Sequence, residues 1–179
     1  LSKMCNDLRL LSSGPKTGFA EIILPAKQNG SSIMPGKVNP VIPEVVTQVA
    51  FKVIGNDMTV TMAAEAGQLE LNAFEPVIFY SMLKSISMLT EAIKTLIDNC
   101  ISGIVANEKR CNELLSGSIA VVTALSPYIG YKNAAAIAHE SLATGVSVKE
   151  IVLREKLMDE ETLKSVLDIN AMTEPKHLQ

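Results

Sequence analysis

Lysine, asparagine, two serines and a helix start fall together in Gly30-Ser31-Ser32-Ile33-Met34-Pro35-Gly36-Lys37-Val38-Asn39-Pro40. Asn39 is a good N-cap and Pro40 suits a first helical position, so a helix is expected to open beside Lys37. A helix N-terminus presents unpaired N–H donors and a partial positive charge. Lys37 adds a full charge and Asn39 an amide donor, and the set suits a carboxylate or another small anion. Gly30 and Gly36 permit unusual backbone angles, so Ser31 and Ser32 are expected on a loop able to close over that anion. A serine is a poor base unless its alkoxide is held by N–H donors, as an oxyanion is. The same residues also read as plain turn and cap residues with a solvated lysine. A nucleotide P-loop is excluded. That motif needs four residues between its glycines and Ser or Thr after the lysine, whereas five residues separate Gly30 from Gly36 and Val38 follows Lys37.

The elements that must position this segment read as helices. Leu1, Met4, Leu8 and Leu11 stand at helical spacing from the first residue, which reads as the tail of a helix and the chain as a piece of a longer protein. Residues 12–40 are rich in Gly, Pro and Ser, and a connection this long is usually functional or disordered. Ile22-Ile23-Leu24 within it is expected to pack down. A long helix is expected over 41–64, with Ile42, Val46, Ala50, Ile54, Met58 and Met62 in one i, i+4 column and Val41, Val45, Val49 and Val53 in the next. Glu44 falls in its first turns, where the dipole favours an acid. So wide an apolar face implies burial from more than one side. After a break at Gly67, a second helix is expected from about Glu75 to Ile101. Phe79, Met82, Ile86, Leu89, Ile93, Leu96 and Cys100 step along it by three and four, the seam of near-parallel bundle packing. Met58, Met62, Met82 and Met88 read as core filler. Shorter helices are expected around 107–116, 131–144, 147–156 and 159–167, with a boundary near 103–110. Only Ile119 to Leu125 carries strand-like alternation. The fold class is therefore all-α.

Composition bounds the function. Hydrophobic residues make up 47% of 179 residues, enough for a sizeable core, and charged residues only 20%, which excludes global disorder. Lys and Arg (16) are outnumbered by Asp and Glu (19), which argues against nucleic acid as a partner. No apolar run approaches the ~18 residues of a membrane span, so a soluble, cytoplasmic chain is expected. Cys5, Cys100 and Cys111 are too scattered for a disulfide framework, and His139 and His177 lie at no ligand spacing from them. No metal and no cofactor is expected. Neither histidine is given a role: His139 is read as surface-facing, and His177 lies in the tail.

The segment Gly30 to Pro40 resembles the signature of the aspartase/fumarase superfamily, of form GSSxMPxKxNP, with every specified position matched. The resemblance extends over essentially the whole chain, through Ser12-Ser13-Gly14-Pro15, Gly67-Gln68-Leu69-Glu70-Leu71-Asn72 and Val122-Thr123-Ala124-Leu125-Ser126-Pro127-Tyr128-Ile129-Gly130-Tyr131. Pro40-Val41-Ile42-Pro43-Glu44 and Thr61-Met62-Ala63-Ala64-Glu65-Ala66-Gly67 are similar to the aspartase branch rather than the fumarase branch.

The resemblance implies a lyase that deaminates L-aspartate reversibly to fumarate and ammonia through an aci-carboxylate. It implies that Ser31 removes the Cβ proton, that Ser32 neighbours it on a mobile loop, and that Lys37 and Asn39 hold a substrate carboxylate. Glu44 matches the acid that hydrogen-bonds a histidine from a different chain; by itself it also reads as a dipole-favourable first-turn acid. Lys16 stands where relatives commonly carry Arg, a mild change in an anion-contact candidate. Residues 1–106 would be the C-terminal part of a central helical-bundle domain and 107–179 a small helical C-terminal domain. The family is homotetrameric and more than twice this length, so this chain alone is expected to be inactive. Two alternatives stay open: a sister lyase acting on malate or another succinyl compound, and a non-catalytic helical oligomerisation module.

Overall fold

The computed structural model describes residues 1–28, 34, 37–168, 172 and 173. The chain divides into two compact units, Leu1–Glu108 and Lys109–Gln179. Eight α-helices, two 3-10 turns and one two-stranded antiparallel pairing make up the regular structure among the described residues, an all-α fold.

The first unit is built on helices α1 (Ser2–Leu11), α2 (Val41–Glu65) and α3 (Glu75–Asn99). Its core joins Cys5 of α1, Val46 of α2 and Ala92 and Leu96 of α3, with Cys100 at the C-cap of α3; Leu8, Leu24, Ile42 and Val49 pack against it. Burial pushes the thiols of Cys5 and Cys100 above the usual cysteine range. α2 and α3 pack along their length. Halfway along, the buried Asn56 amide donates to the Ser85 hydroxyl at 2.9 Å and to the Ser81 carbonyl at 3.4 Å. The turn between these helices is tied by Asn72, which donates to the Ala63 carbonyl (2.9 Å) and accepts from the Phe74 N–H (2.8 Å).

Helix α2 begins one residue later than the sequence suggests. Pro40 is the N-cap, Val41 opens the helix, and no side chain caps it, so Asn39 is not the cap. A proline disfavours helical backbone at the residue before it, which places Asn39 outside the helix. Pro43 in the first turn costs nothing, because N–H groups there have no intrahelical partner.

The apolar faces are also less covered than expected. Ile54 (64% exposed), Met58, Met62, Phe79, Met82 and Ile86 are all exposed, while Leu96 at the far end of the α3 seam is buried. Reading Met58, Met62 and Met82 as core filler is therefore wrong for this chain by itself, and Met88 is half-buried.

Two short strands were not anticipated. β1 (Ile22–Ile23) pairs antiparallel with β2 (Val105–Ala106), Ile22 opposite Ala106 and Ile23 opposite Val105. Ile22 and Leu24 are half-buried but Ile23 is 55% exposed, so the apolar cluster packs down only in part.

The second unit holds α4 (Glu108–Ser116, whose first residue closes the first unit), α5 (Val122–Ile129), α6 (Tyr131–Thr144), α7 (Val148–Arg154) and α8 (Glu160–Val166). Its core includes Val122, Leu125, Ala134, Ile137, Ile151, Val152 and Leu163. The strand-like stretch Ile119 to Leu125 is helical: a 3-10 turn over Ile119–Val121 runs into α5. Val122 and Leu125 are both buried three residues apart, a helical spacing that outweighs the local β-branched character. Ser147 and Glu150 form a capping box at α7. Asp159 caps α8, accepting from the Thr162 N–H at 2.9 Å and hydroxyl at 2.7 Å; these hydrogen bonds hold its carboxyl below the usual range. His139 is exposed, as expected, and His177 lies outside the described residues.

Candidate active site

The end of α1, the loop that follows it and the start of α2 converge around one open cavity of about 940 Å³ within the first unit. The loop is closed by Ser13. Its hydroxyl donates to the Leu10 carbonyl (2.6 Å) and accepts from the Phe19 N–H (3.1 Å), and its carbonyl accepts from the Ala20 N–H (2.8 Å). Gly18 is required by this closure, since a Cβ there would stand 2.4 Å from the Ser13 carbonyl carbon and oxygen. Asn107, just after β2, clamps the far side. Its amide donates to the Ala20 carbonyl (2.8 Å) and its N–H to the Glu21 carbonyl (2.9 Å). The two-residue sheet and this clamp hold the 12–24 segment against the end of the α3 region.

On the opposite wall the chain enters α2. The Lys37 N–H donates to the Met34 carbonyl at 3.2 Å, and Lys37 itself is exposed. Asn39 is half-buried, and both Lys37 and Asn39 line the cavity. Because Asn39 does not cap α2, its amide is not committed to the helix end. Glu44, in the first turn of α2, lines it too and pairs with Arg9 from the last turn of α1, at 3.6 Å. The result is a concave surface lined by Lys37, Asn39 and the Ser12-Ser13 turn, with one carboxylate paired to an arginine. Such a surface suits a carboxylate or another small anion beside Lys37 and Asn39.

Of the residues expected from sequence, Lys37, Asn39 and Glu44 are brought together. Ser31 and Ser32 lie outside the described residues. Lys16 is exposed and does not line the cavity. Sequence reasoning missed Arg9 and Asn107. Arg9 follows buried Cys5 by four residues, which puts both on the face of α1 that meets α2, and that spacing is the one signal that could have found it. Among the described residues, no group of three or more His, Cys, Asp or Glu side chains could hold a metal ion, and no helix is long and apolar enough to cross a membrane.

Comparison with known proteins gives this geometry a family. Residues 1–55 match the Lyase family and residues 121–174 the Fumarase C C-terminus family. The aspartate ammonia-lyase of Pseudomonas aeruginosa is 58% identical over 176 residues, which is 98% of this chain and 37% of that protein. The Bacillus subtilis aspartate ammonia-lyase is 51% identical, with the same coverage. Among solved structures, the cobalt-bound fumarate lyase:delta crystallin of Brucella melitensis superposes with a TM-score of 0.91 at 55% identity, over 97% of this chain and 38% of that one. A class II fumarase from Schistosoma mansoni gives 0.84 at 35% identity, over 93% and 35%. The chain belongs to the aspartase/fumarase superfamily of lyases. It spans a little over a third of the length of the relatives it matches.

Proposed function

We propose that this chain is the part of an aspartate-deaminating lyase that supplies the serine loop, Lys37, Asn39 and Glu44 to the active site. The observation that carries the reading is the meeting of Lys37 and Asn39 on one cavity wall at the entrance to α2. In the reaction, Ser31 takes the Cβ proton of L-aspartate, with Ser32 beside it. The electron pair moves into the neighbouring carboxylate to give an aci-carboxylate. Lys37 and Asn39 hold a substrate carboxylate, at the positive end of the α2 dipole. These groups act more strongly on the intermediate than on the substrate because it carries more negative charge. The electrons then return to form the double bond, the C–N bond breaks, and ammonia and fumarate leave. Glu44 hydrogen-bonds a histidine contributed by a different chain.

That last role requires assembly. The exposed apolar faces of α2 and α3 support it, since a lone chain rarely leaves contiguous faces of this kind in water. The reading is of a homotetramer, located in the cytoplasm, with residues 1–106 in the central bundle and 107–179 as a small helical domain. The 179-residue chain alone is expected to be inactive, because its site lacks the other chains' groups.

The test offers L-aspartate and L-malate separately to the full-length lyase carrying this segment and follows fumarate by its ultraviolet absorbance. Turnover of aspartate alone is expected, and Ser31→Ala is expected to abolish it. Turnover of malate instead would overturn the aspartate reading in favour of the fumarase branch. Turnover of neither would overturn both. Fumarate formation by the 179-residue chain alone would refute its predicted inactivity.

A further inference from the structure

Glu44 has a second partner within its own chain. Arg9 sits in the last turn of α1, and its guanidinium reaches the Glu44 carboxylate at 3.6 Å while a second nitrogen donates to the Asn6 amide oxygen at 3.3 Å. Both Arg9 and Glu44 line the cavity that holds Lys37 and Asn39. The two helices that carry them are fixed to each other just behind the pair, where Cys5 and Val46 are both fully buried in one core. Cys5 is one turn before Arg9, and Val46 lies two residues after Glu44. The arginine is therefore delivered to the carboxylate by packed backbone rather than by a flexible loop. Both side chains remain about 40% exposed, so the pair is too screened to matter much for stability. Its consequence is orientation by charge: at 3.6 Å, beyond hydrogen-bond length, the guanidinium draws the Glu44 side chain towards the end of α1 on the cavity side.

We propose that Arg9 is a positioning residue for the lyase reaction, orienting Glu44 for the hydrogen bond it makes to the histidine of a second chain. This rests on the reading of Glu44 given above.

The test uses the full-length lyase with Arg9→Met, Arg9→Lys, Glu44→Gln and the double variant Arg9→Met/Glu44→Gln. Arg9→Met keeps the apolar stem and removes the charge. It is expected to lower kcat for aspartate about tenfold, a coupling typical of neighbouring charged groups, while KM changes less than twofold. Arg9→Lys is expected to recover most of that loss. In the Glu44→Gln background, Arg9→Met is expected to have no further effect on kcat. A residue that merely held α1 to α2 would act equally in both backgrounds, so additive losses would overturn the proposal. A wild-type kcat in Arg9→Met would overturn it as well. If Glu44→Gln itself leaves kcat at the wild-type value, the reading of Glu44 fails, and the proposal with it. If Glu44→Gln is impaired and Arg9→Met is not, only the proposal fails.

Discussion

Asn56 is a buried polar group that bonds across the two long helices, and replacing it by alanine tests how α2 and α3 keep their register. Asn56 is buried, 15 residues into α2 from Val41, and its amide nitrogen faces two acceptors of α3. The Ser81 carbonyl can only accept, so the amide must present its N–H₂ to that side. Ser85 does not replace it, since its own hydroxyl donates to the Ser81 carbonyl at 2.7 Å. Asn56→Ala removes a good hydrogen bond at 2.9 Å and a long one at 3.4 Å. It also leaves the Ser85 oxygen without its donor. At about 1 kcal/mol for the good bond, less for the long one and a further desolvation cost at Ser85, the loss is about 2–3 kcal/mol. The better helix propensity of alanine offsets about 0.5 kcal/mol of this. Asn56→Asp should cost more than Asn56→Ala, because it puts a carboxylate against a carbonyl oxygen in a buried place. The assay is urea unfolding by circular dichroism at one fixed chain concentration, because association adds its own stability. An alanine variant within 0.5 kcal/mol of wild type, or an aspartate variant more stable than the alanine one, would refute the reasoning. The start of α2 is anchored separately by Val46 against Cys5, Leu96 and Cys100, so the kcat of the full-length lyase should change far less than its stability.

Gly18→Ala should destabilise the first unit by about 1–3 kcal/mol, the range for forced overpacking. The new Cβ meets Ser13 backbone, which cannot swing away as a side chain would; a melting temperature equal to wild type would show that the loop is not closed as described. Acid should weaken the cap of α8. The folded-state pKa of Asp159 lies below its ordinary 3.8, so its contribution is full above that value and is lost as pH falls through the lower one. Melts of wild type and Asp159→Asn from pH 7 to pH 2 should therefore converge at the acid end, and a widening gap would contradict the assignment. The 179-residue chain should self-associate through Ile54 and Ile86, which are 64% and 59% exposed. Light scattering should show Ile54→Glu/Ile86→Glu shifted towards monomer, whereas a strictly monomeric wild type would count against the assembly.

The helices were largely legible because each carries its own period. The step of three and four from Phe79 to Cys100 gives α3 without any knowledge of its neighbours, and α2 follows from its paired apolar columns. The failures have a common physical origin in contacts between distant residues. β1 and β2 are two residues each and are separated by more than eighty positions, so no local pattern could announce them. Ile119 to Leu125 looks like a strand by composition, and only the burial of Val122 and Leu125 in the core they share with Ile137 and Ile151 decides for helix. The methionines were misjudged for another reason. Their apolar character was read correctly, but no element among the described residues covers them.

The site shows the same division. Lys37 and Asn39 could be found because they are neighbours in sequence and one helix start fixes both. Arg9 and Glu44 stand 35 residues apart and meet only because Cys5 and Val46 bury each other's helices. A capping asparagine at position 39 would spend its oxygen on α2 and have less to offer a ligand. With Pro40 taking the cap position, the proline's restriction on its predecessor keeps Asn39 out of the helix, and Asn39 lines the cavity. Replacing Pro40 should then act on binding rather than on folding. Pro40→Ala frees Asn39 to enter helical geometry and take up the cap. In the full-length lyase it should raise KM for aspartate severalfold while the melting temperature holds or rises, since a side-chain cap is worth about 1 kcal/mol. A variant with an unaltered KM would show that Asn39 reaches the cavity without the proline's help.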